Sequence, residues 1–564
     1  VTVRHRRLLL LDTLLLGVVG ALAAQVFMLL LHLAQGLFLG ALAGYAPPGL
    51  RDDGSLSLQS VGRHGLWLIP LATTLGGLIS GILVYAFAPE AEGHGTDTAV
   101  GAFHRAGGFI RARVPPLKAV ASAITIGSGG AAGREGPTAL IAAGVGSIYA
   151  SLTNRTEEER RLLVLVGMAA GLSAIFRSPI GTAVFAVEVL YSRMEFDSAA
   201  LIYTLLASVI AYAVNGLFVG FAPLFVVPGG LATPSFVDYF RYAGLGLVAG
   251  AVATVVPLVF YGVRDLFHAL RLPPHVKPAI GGLGVGLLAL ALPQVLGGGY
   301  GWIQQAIDGQ LAVTLMLALV FAKLLAFALT VSSGGSGGVF APSLYVGAMV
   351  GGCVAAVLHQ PAAPFVIVGM AALFAGAARV PIATMLMVTE MTGGYQLLVP
   401  AALAVTLSYL AEATLSRRLK YGSLYEAQVP APAYSPAHHA EHLQTAFRLI
   451  RERQAAALKQ VGHLDLRTLL ESGVPVELRD GKQLQIATLA GTSRAIGRPI
   501  TVHALDETAT DVELTAVLRE GYTLLPGTGA RLRDGDTLLI LAAPEALARL
   551  AEHFVTGETQ EGEQ

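Results

Sequence analysis

Apolar stretches of about twenty residues recur along this chain, and each is long enough to cross the hydrocarbon core of a bilayer as a helix. Segments 66–87, 201–222, 242–262, 311–331 and 395–415 are examples, within a region that runs from Leu8 to about Leu415. The chain is 54% hydrophobic and only 13% charged over 564 residues, so lipid rather than water is its main solvent. Its 37 basic and 37 acidic residues balance, and nothing in that balance points to nucleic acid. One cysteine, Cys353, excludes an internal disulfide and argues against a cysteine-based metal site.

Arg4-His5-Arg6-Arg7 precedes a long apolar run that continues past Leu30 without a clear small-residue cleavage site. It reads as a retained first helix rather than a leader. Basic residues flank the membrane region at both ends, with Arg417, Arg418 and Lys420 after it. The positive-inside bias then places both termini in the cytoplasm, with an even number of crossings of the cell (inner) membrane.

The composition changes near Gln428. Residues 1–427 form the membrane domain. Residues 428–472 are a Pro-rich linker followed by a helix at 438–462. Residues 473–555 read as a small soluble α/β domain, with strands at 476–478, 484–487, 522–525 and 537–541 and helices at 511–519 and 544–554. The acidic, polar tail 556–564 reads as disordered.

The membrane region contains an internal repeat. Gly129-Gly130-Ala131-Ala132-Gly133-Arg134-Glu135-Gly136-Pro137 matches Gly334-Gly335-Ser336-Gly337-Gly338-Val339-Phe340-Ala341-Pro342. Arg177-Ser178-Pro179-Ile180-Gly181-Thr182, followed by Glu188, matches Arg379-Val380-Pro381-Ile382-Ala383-Thr384, followed by Glu390. Two related halves interrupted by Gly and Pro in matching places are a transporter signature, and the interruptions mark the binding site. Residue spacing leaves open whether the halves are parallel or inverted.

Glu135 lies between two apolar segments, where a charged pair must face a protein-lined aqueous cavity. Pro137 suits the first turn of a helix, whose free N–H groups and positive dipole end attract an anion. A carboxylate at the mouth of such a site can occupy it, so Glu135 reads either as a protonatable plug or as half of a structural pair with Arg134. The uncharged counterpart offers the backbone N–H groups of Val339 and Phe340, or serves as a close helix-packing seam. A third glycine break, Gly93-His94-Gly95-Thr96-Asp97, carries two groups that suit a metal or catalytic pair, or else a helix cap and a solvated side chain. Tyr425 can donate its hydroxyl to a buried anion or anchor the chain at the interface. The sequence has no HExxH, no P-loop Gly-Lys-Ser/Thr and no Gly-x-Ser-x-Gly set between a soluble strand and helix, so it is read as a non-enzyme without cofactors. A membrane-integral enzyme built on His94 and Asp97 stays as the remote alternative.

The Gly-Arg-Glu-Gly-Pro block at 133–137, the Gly-Gly-Val-Phe-Ala-Pro block at 337–342 and Ser423-Leu424-Tyr425-Glu426 together resemble the CLC family of chloride channels and chloride/proton exchangers. The resemblance covers roughly residues 7–427. It implies an all-α polytopic domain of two inverted repeats of tilted, broken helices, a homodimer, and one chloride pathway per subunit. By resemblance, Glu135 is the external gating glutamate, the Gly95, Gly136, Val339 and Phe340 amides line ion sites, and the Tyr425 hydroxyl faces the central anion. Two positions depart from the family pattern. His94 stands where a serine usually coordinates the anion. Val189 stands where exchangers commonly carry an internal proton-transfer glutamate, so the expectation is a passive gated channel, with the chloride/proton antiporter as the alternative. The tail stretch 496–538 resembles the TrkA-C type of regulatory domain found on potassium-uptake proteins, which implies dimerisation and leaves a small regulatory ligand open.

Overall fold

The computed structural model describes residues 3–50, 56–57, 59–193, 198–227, 231, 233–430, 435, 476–477, 483–491, 493–501, 504–505, 512–519, 522–524, 526 and 530–550. The expected helix at 438–462, the tail 556–564 and the end of the helix expected at 544–554 lie outside the described residues. Contacts divide the chain into two units, Val1–Pro432 and Ala433–Gln564.

The first half of the larger unit contributes α1 (Val3–Gln35), α2 (Ile69–Phe87), α3 (Thr96–Arg105), α4 (Val114–Gly127), α5 (Glu135–Leu152), α6 (Glu157–Phe176), α7 (Pro179–Glu188) and α8 (Ser198–Val219). The second half contributes α9 (Phe236–Ala269), α10 (Lys277–Ala291), α11 (Tyr300–Ile307), α12 (Val313–Ser332), α13 (Phe340–Val357), α14 (Ala362–Ala378), α15 (Pro381–Thr392) and α16 (Leu398–Leu415). Among the described residues, eight segments are long and apolar enough to cross a membrane. Large apolar side chains stay exposed on the outer faces, such as Leu29 and Leu33 on α1 and Phe236 and Phe240 on α9. In water that would be a liability; around a bilayer-embedded domain it is the lipid-facing belt. This is a multi-pass membrane protein.

The four shortest helices fall far short of a span: α3 and α7 have 10 residues, α11 has 8 and α15 has 12. Their ends are set locally. Arg177 and Arg379 adopt left-handed backbone (φ 54° and 57°), which closes α6 and α14, and the prolines at 179 and 381 then open α7 and α15. The matched glutamates explain the second repeat block. Glu188 accepts hydrogen bonds from the N–H groups of Ile382 (3.1 Å) and Ala383 (2.7 Å) at the start of α15. Glu390 accepts from Ser178 Oγ (2.5 Å) and from the N–H groups of Ile180 (3.2 Å) and Gly181 (2.9 Å) at the start of α7. Each half supplies a carboxylate to the free donors and positive dipole end of the other half's short helix.

The first repeat block is where the halves touch. Gly133 and Gly338 exchange reciprocal N–H···O bonds, both 2.7 Å. Matched residues that bond to each other antiparallel must straddle a two-fold axis, so the axis relating the halves passes between these glycines. An added Cβ at Gly338 would stand 2.8 Å from Gly136 N and 2.9 Å from Gly133 O, so this close approach requires glycine.

In the smaller unit, the described strands form one antiparallel sheet in the order Val476–Glu477, Gln483–Thr488, Thr537–Ala542, Val512–Arg519, Tyr522–Leu524. The helix expected at 511–519 is thus a strand. Val512, Leu514 and Ala516 alternate into the core, and past the β-bulge between Leu514 and Ala516 the next residue, Val517, is buried as well. Asp536, in the turn before the central strand, is buried because Arg519 grips its two oxygens at 2.7 Å each.

Candidate functional site

The broken helices deliver their N-termini to one small cavity. It is lined by Thr96 at the start of α3, Glu135 and Gly136 at the start of α5, and Val339 and Phe340 at the start of α13. Leu172, Phe176, Phe185 and Tyr425 complete the wall. Its space for the centre of a water-sized particle is about 10 Å³, which is room for one small occupant. Glu135 is the only charged residue in the lining, so any anion held there relies on backbone N–H groups, hydroxyls and helix dipoles. Such donors replace part of an anion's hydration without fixing it as tightly as a cation would.

Glu135 is 1% exposed, and its carboxylate lies against Gly133, at the seam between the halves. One oxygen accepts a hydrogen bond from the Tyr300 hydroxyl, and Arg134 Nε lies 3.9 Å away. The Arg134 guanidinium stacks over the Tyr300 ring, 4.6 Å from its centroid. Tyr425 is buried beside the cavity, and Asp97 fixes its segment by accepting the Ala427 N–H at 2.8 Å. Phe340 packs between Phe176 and Phe374, at 4.5 and 4.3 Å between ring centroids.

His94 and Gly95 stand just behind the lining. His94 Nδ1 accepts the Asp97 N–H at 3.4 Å, and its ring packs against Tyr425 (5.4 Å) and Phe260 (6.2 Å). His94 and Asp97 therefore meet through backbone, not as an imidazole–carboxylate pair. Gly95 has φ 83°, and a Cβ there would press on Gly136 O at 2.7 Å, so α3 and α5 meet backbone to backbone. Val189 is buried and ends α7, its N–H donating to Phe185 O at 2.9 Å. Beside it, His104 Nε2 lies 3.0 Å from Leu190 O.

Sequence reasoning missed Tyr300, His104, and two buried lysines. Lys118 Nζ donates to Ala91 O (2.9 Å) and Gly93 O (2.6 Å). Lys323 Nζ donates to Val295 O (2.7 Å) and Gly297 O (2.6 Å). They are repeat partners, each clamping the glycine loop before a short helix. The available signal was Gly297-Gly298-Gly299-Tyr300, a second-half match to Gly93-His94-Gly95-Thr96, with Gly95 and Gly299 at φ 83° and 82°.

Paired broken-helix halves around a cavity of helix N-termini define a membrane transport protein. The voltage gated chloride channel family model matches residues 76–413. The chain belongs to that family, the CLC family. It is 34% identical over 360 residues to the H(+)/Cl(-) exchange transporter ClcA of Salmonella agona, a match that covers 61% of this chain and 76% of the relative. The ClcA of Salmonella arizonae matches to the same extent. The fold is shared with a slow cyanobacterial Cl-/H+ antiporter (TM-score 0.63, 22% identity, 73% of this chain and 95% of that one). It is also shared with a CLC-type fluoride/proton antiporter (TM-score 0.64, 21% identity, 76% and 99%). The identity to the exchange transporters overturns the expectation of a passive channel. That expectation rested on Val189, and a valine at one position removes one proton-carrying group, not every route by which a proton can travel.

Proposed function

We propose that this protein exchanges chloride for protons across the membrane. The observation that carries the reading is that Glu135 lines the same cavity as the helix N-termini and the Tyr425 hydroxyl. A carboxylate and a chloride ion then compete for one set of donors. Protonation neutralises Glu135 and frees the site for chloride, while the carboxylate's return expels the ion and commits the proton to one side. A single group that both blocks the anion and carries the proton couples the two flows. The Gly136, Val339 and Phe340 amides and the Tyr425 hydroxyl hold the ion in this scheme, and His94 and Gly95 support the wall behind them. No cofactor is needed, and chloride is the substrate. Because Val189 carries no proton, the internal route uses other groups; His104 is a buried titratable side chain at that position.

The 34% identity to exchange transporters supports this reading. The family and the basic flanks support a homodimer in the cell membrane with both termini cytoplasmic. The smaller unit is assigned a regulatory role, TrkA-C-like, open to a small ligand.

Proteoliposomes with a chloride gradient and clamped membrane potential test the exchange. Chloride flow should drive protons uphill, and Glu135→Gln should abolish the proton movement while leaving chloride flux. Chloride flux with no proton movement in the unaltered protein would sink the proposal.

A further inference from the structure

A second cavity, about 450 Å³, lies on the other side of the gate. Arg134 and Tyr300 line it, whereas Glu135 and Tyr425 line the small cavity. The hydrogen bond from Tyr300 to Glu135 therefore crosses the partition between the two. We propose that Tyr300 is a gate residue: its hydroxyl latches the Glu135 carboxylate in the closed position, so that opening requires this bond to break as well as Glu135 to take up a proton. The proposal rests on the exchange reading and names a further residue of that same site.

The position of Tyr300 is built in by the second half. Lys323 is fully buried within α12, and it offsets the cost of that burial by donating to the carbonyls of Val295 and Gly297. This clamps the loop that ends at Gly299, whose left-handed backbone turns the chain into α11 with Tyr300 as its first residue. The same device in the first half, Lys118 on Ala91 and Gly93, places Thr96 on the small cavity. The two-fold repeat thus brings one loop to the ion and its twin to the gate. The Tyr300 ring is also held from the side, by the Arg134 guanidinium and by Phe225 at 6.0 Å between centroids. A phenol fixed by a clamped loop and stacked groups is a directed donor rather than a wandering one.

The charged and titratable groups that face Glu135 are Arg134 from its own helix end, Tyr300 from α11 and Tyr425 from the segment after α16. From α13 it meets only backbone and apolar side chains. Among these, Tyr300 alone bonds the carboxylate through a hydroxyl that a conservative substitution deletes. A donor to an ionised carboxylate favours the ionised form. Without it, the gate takes up a proton at higher pH.

The test is chloride flux and proton coupling against pH in proteoliposomes for Tyr300→Phe, Glu135→Gln and the double variant. Tyr300→Phe should keep full flux at acid pH, where the latch is already released. Its acid activation should move to higher pH by about one unit, a tenfold effect typical of a hydrogen bond to a charged group. In the Glu135→Gln background the same change should add nothing. An unshifted profile, lost acid flux, or an equal effect on both backgrounds would overturn the latch. If Glu135→Gln behaves as expected for the exchange reading and Tyr300→Phe is silent, only the latch fails; if Glu135→Gln is itself silent, both fail.

Discussion

Three side chains decide what the central cavity can do, and each acts through a different physical term. Glu135 contributes a charge that competes with the ion. Tyr425 contributes a hydroxyl and is held by the bond from Ala427 N–H to Asp97. His94 contributes shape: its ring backs Tyr425 at 5.4 Å, and its Nδ1 is already used by the Asp97 N–H. The imidazole therefore bears on the ion through Tyr425 more than by direct coordination. His94→Ser removes the ring behind Tyr425 and lets the phenol move, so we expect the ratio of chloride to bromide or nitrate flux to change by a few-fold, with proton coupling retained. Anion-replacement flux assays check this, and an unaltered series of ratios would show that His94 only caps α3. Glu135, Gly136, Val339 and Phe340 were legible in the sequence because glycine and proline mark helix breaks, and breaks in an apolar region mark ion sites; Tyr425 was assigned to the site only through the family resemblance of Ser423-Leu424-Tyr425-Glu426. Tyr300 was not, because its glycine loop repeats Gly93-His94-Gly95-Thr96 only loosely and nothing in the sequence ties that loop to Glu135 until the fold brings them together.

At the level of elements, the two halves hold each other's short helices. Glu188 and Glu390 each accept two backbone N–H bonds across the repeat, which pairs two of the free donors at each helix start. A glutamine keeps the shape but turns one acceptor into a donor that points at donors. Glu188→Gln should cost about 1–3 kcal/mol, the range for a buried group left without its partner, and Glu390→Gln, whose carboxylate is only half-buried, should cost less. The readout is a lowered thermal unfolding midpoint in detergent, with the chloride-to-proton ratio unchanged. Glu188 carries the sharper version, since it adjoins Val189. If Glu188→Gln kept the thermal midpoint and lost proton coupling, Glu188 would belong to the proton route rather than to the scaffold. The repeat was visible in the sequence because its spacing is preserved, and the shared role of these glutamates followed from it. The identity of their partners was not visible, because each bond spans about half of the membrane region. The strand at Val512–Arg519 was misread for a local reason, since Ala516 and Val517 are buried side by side beyond the bulge and blur the two-residue period that marks a strand.

For the whole molecule, the question is where the transport machinery ends. The composition changes near Gln428, but the compact unit runs on through Pro432. The bonds explain the difference. Gln428 donates to Ala378 O at 3.1 Å, Val429 N–H donates to Leu190 O at 3.2 Å, and Ser192 and Arg193 donate back to Val429 O and Pro430 O at 2.9 and 3.2 Å. Residues 428–430 therefore lie as a strap along the segment that follows α7, next to Val189 and close to the Tyr425 loop. A cut inside the strap removes its bonds to two backbone donors of that segment, Ser192 and Arg193 N–H, and to one acceptor, Leu190 O, and loosens the loop that carries Tyr425. A cut after it removes only the smaller unit, which has its own apolar core of Leu489, Ile500, Val512, Leu514, Leu538 and Ile540. We therefore expect a chain ending at Pro432 to fold, pair and exchange chloride for protons, with altered regulation. A chain ending at Gln428 should have a lower thermal midpoint and weaker flux. Parallel reconstitution of the two truncations, scored by chromatographic size, thermal midpoint and coupled flux, separates the roles. If the Pro432 truncation folds and pairs but carries no flux, the smaller unit is part of the transport machinery rather than its regulator. If the Gln428 truncation matches it in every measure, the strap contributes nothing to the site.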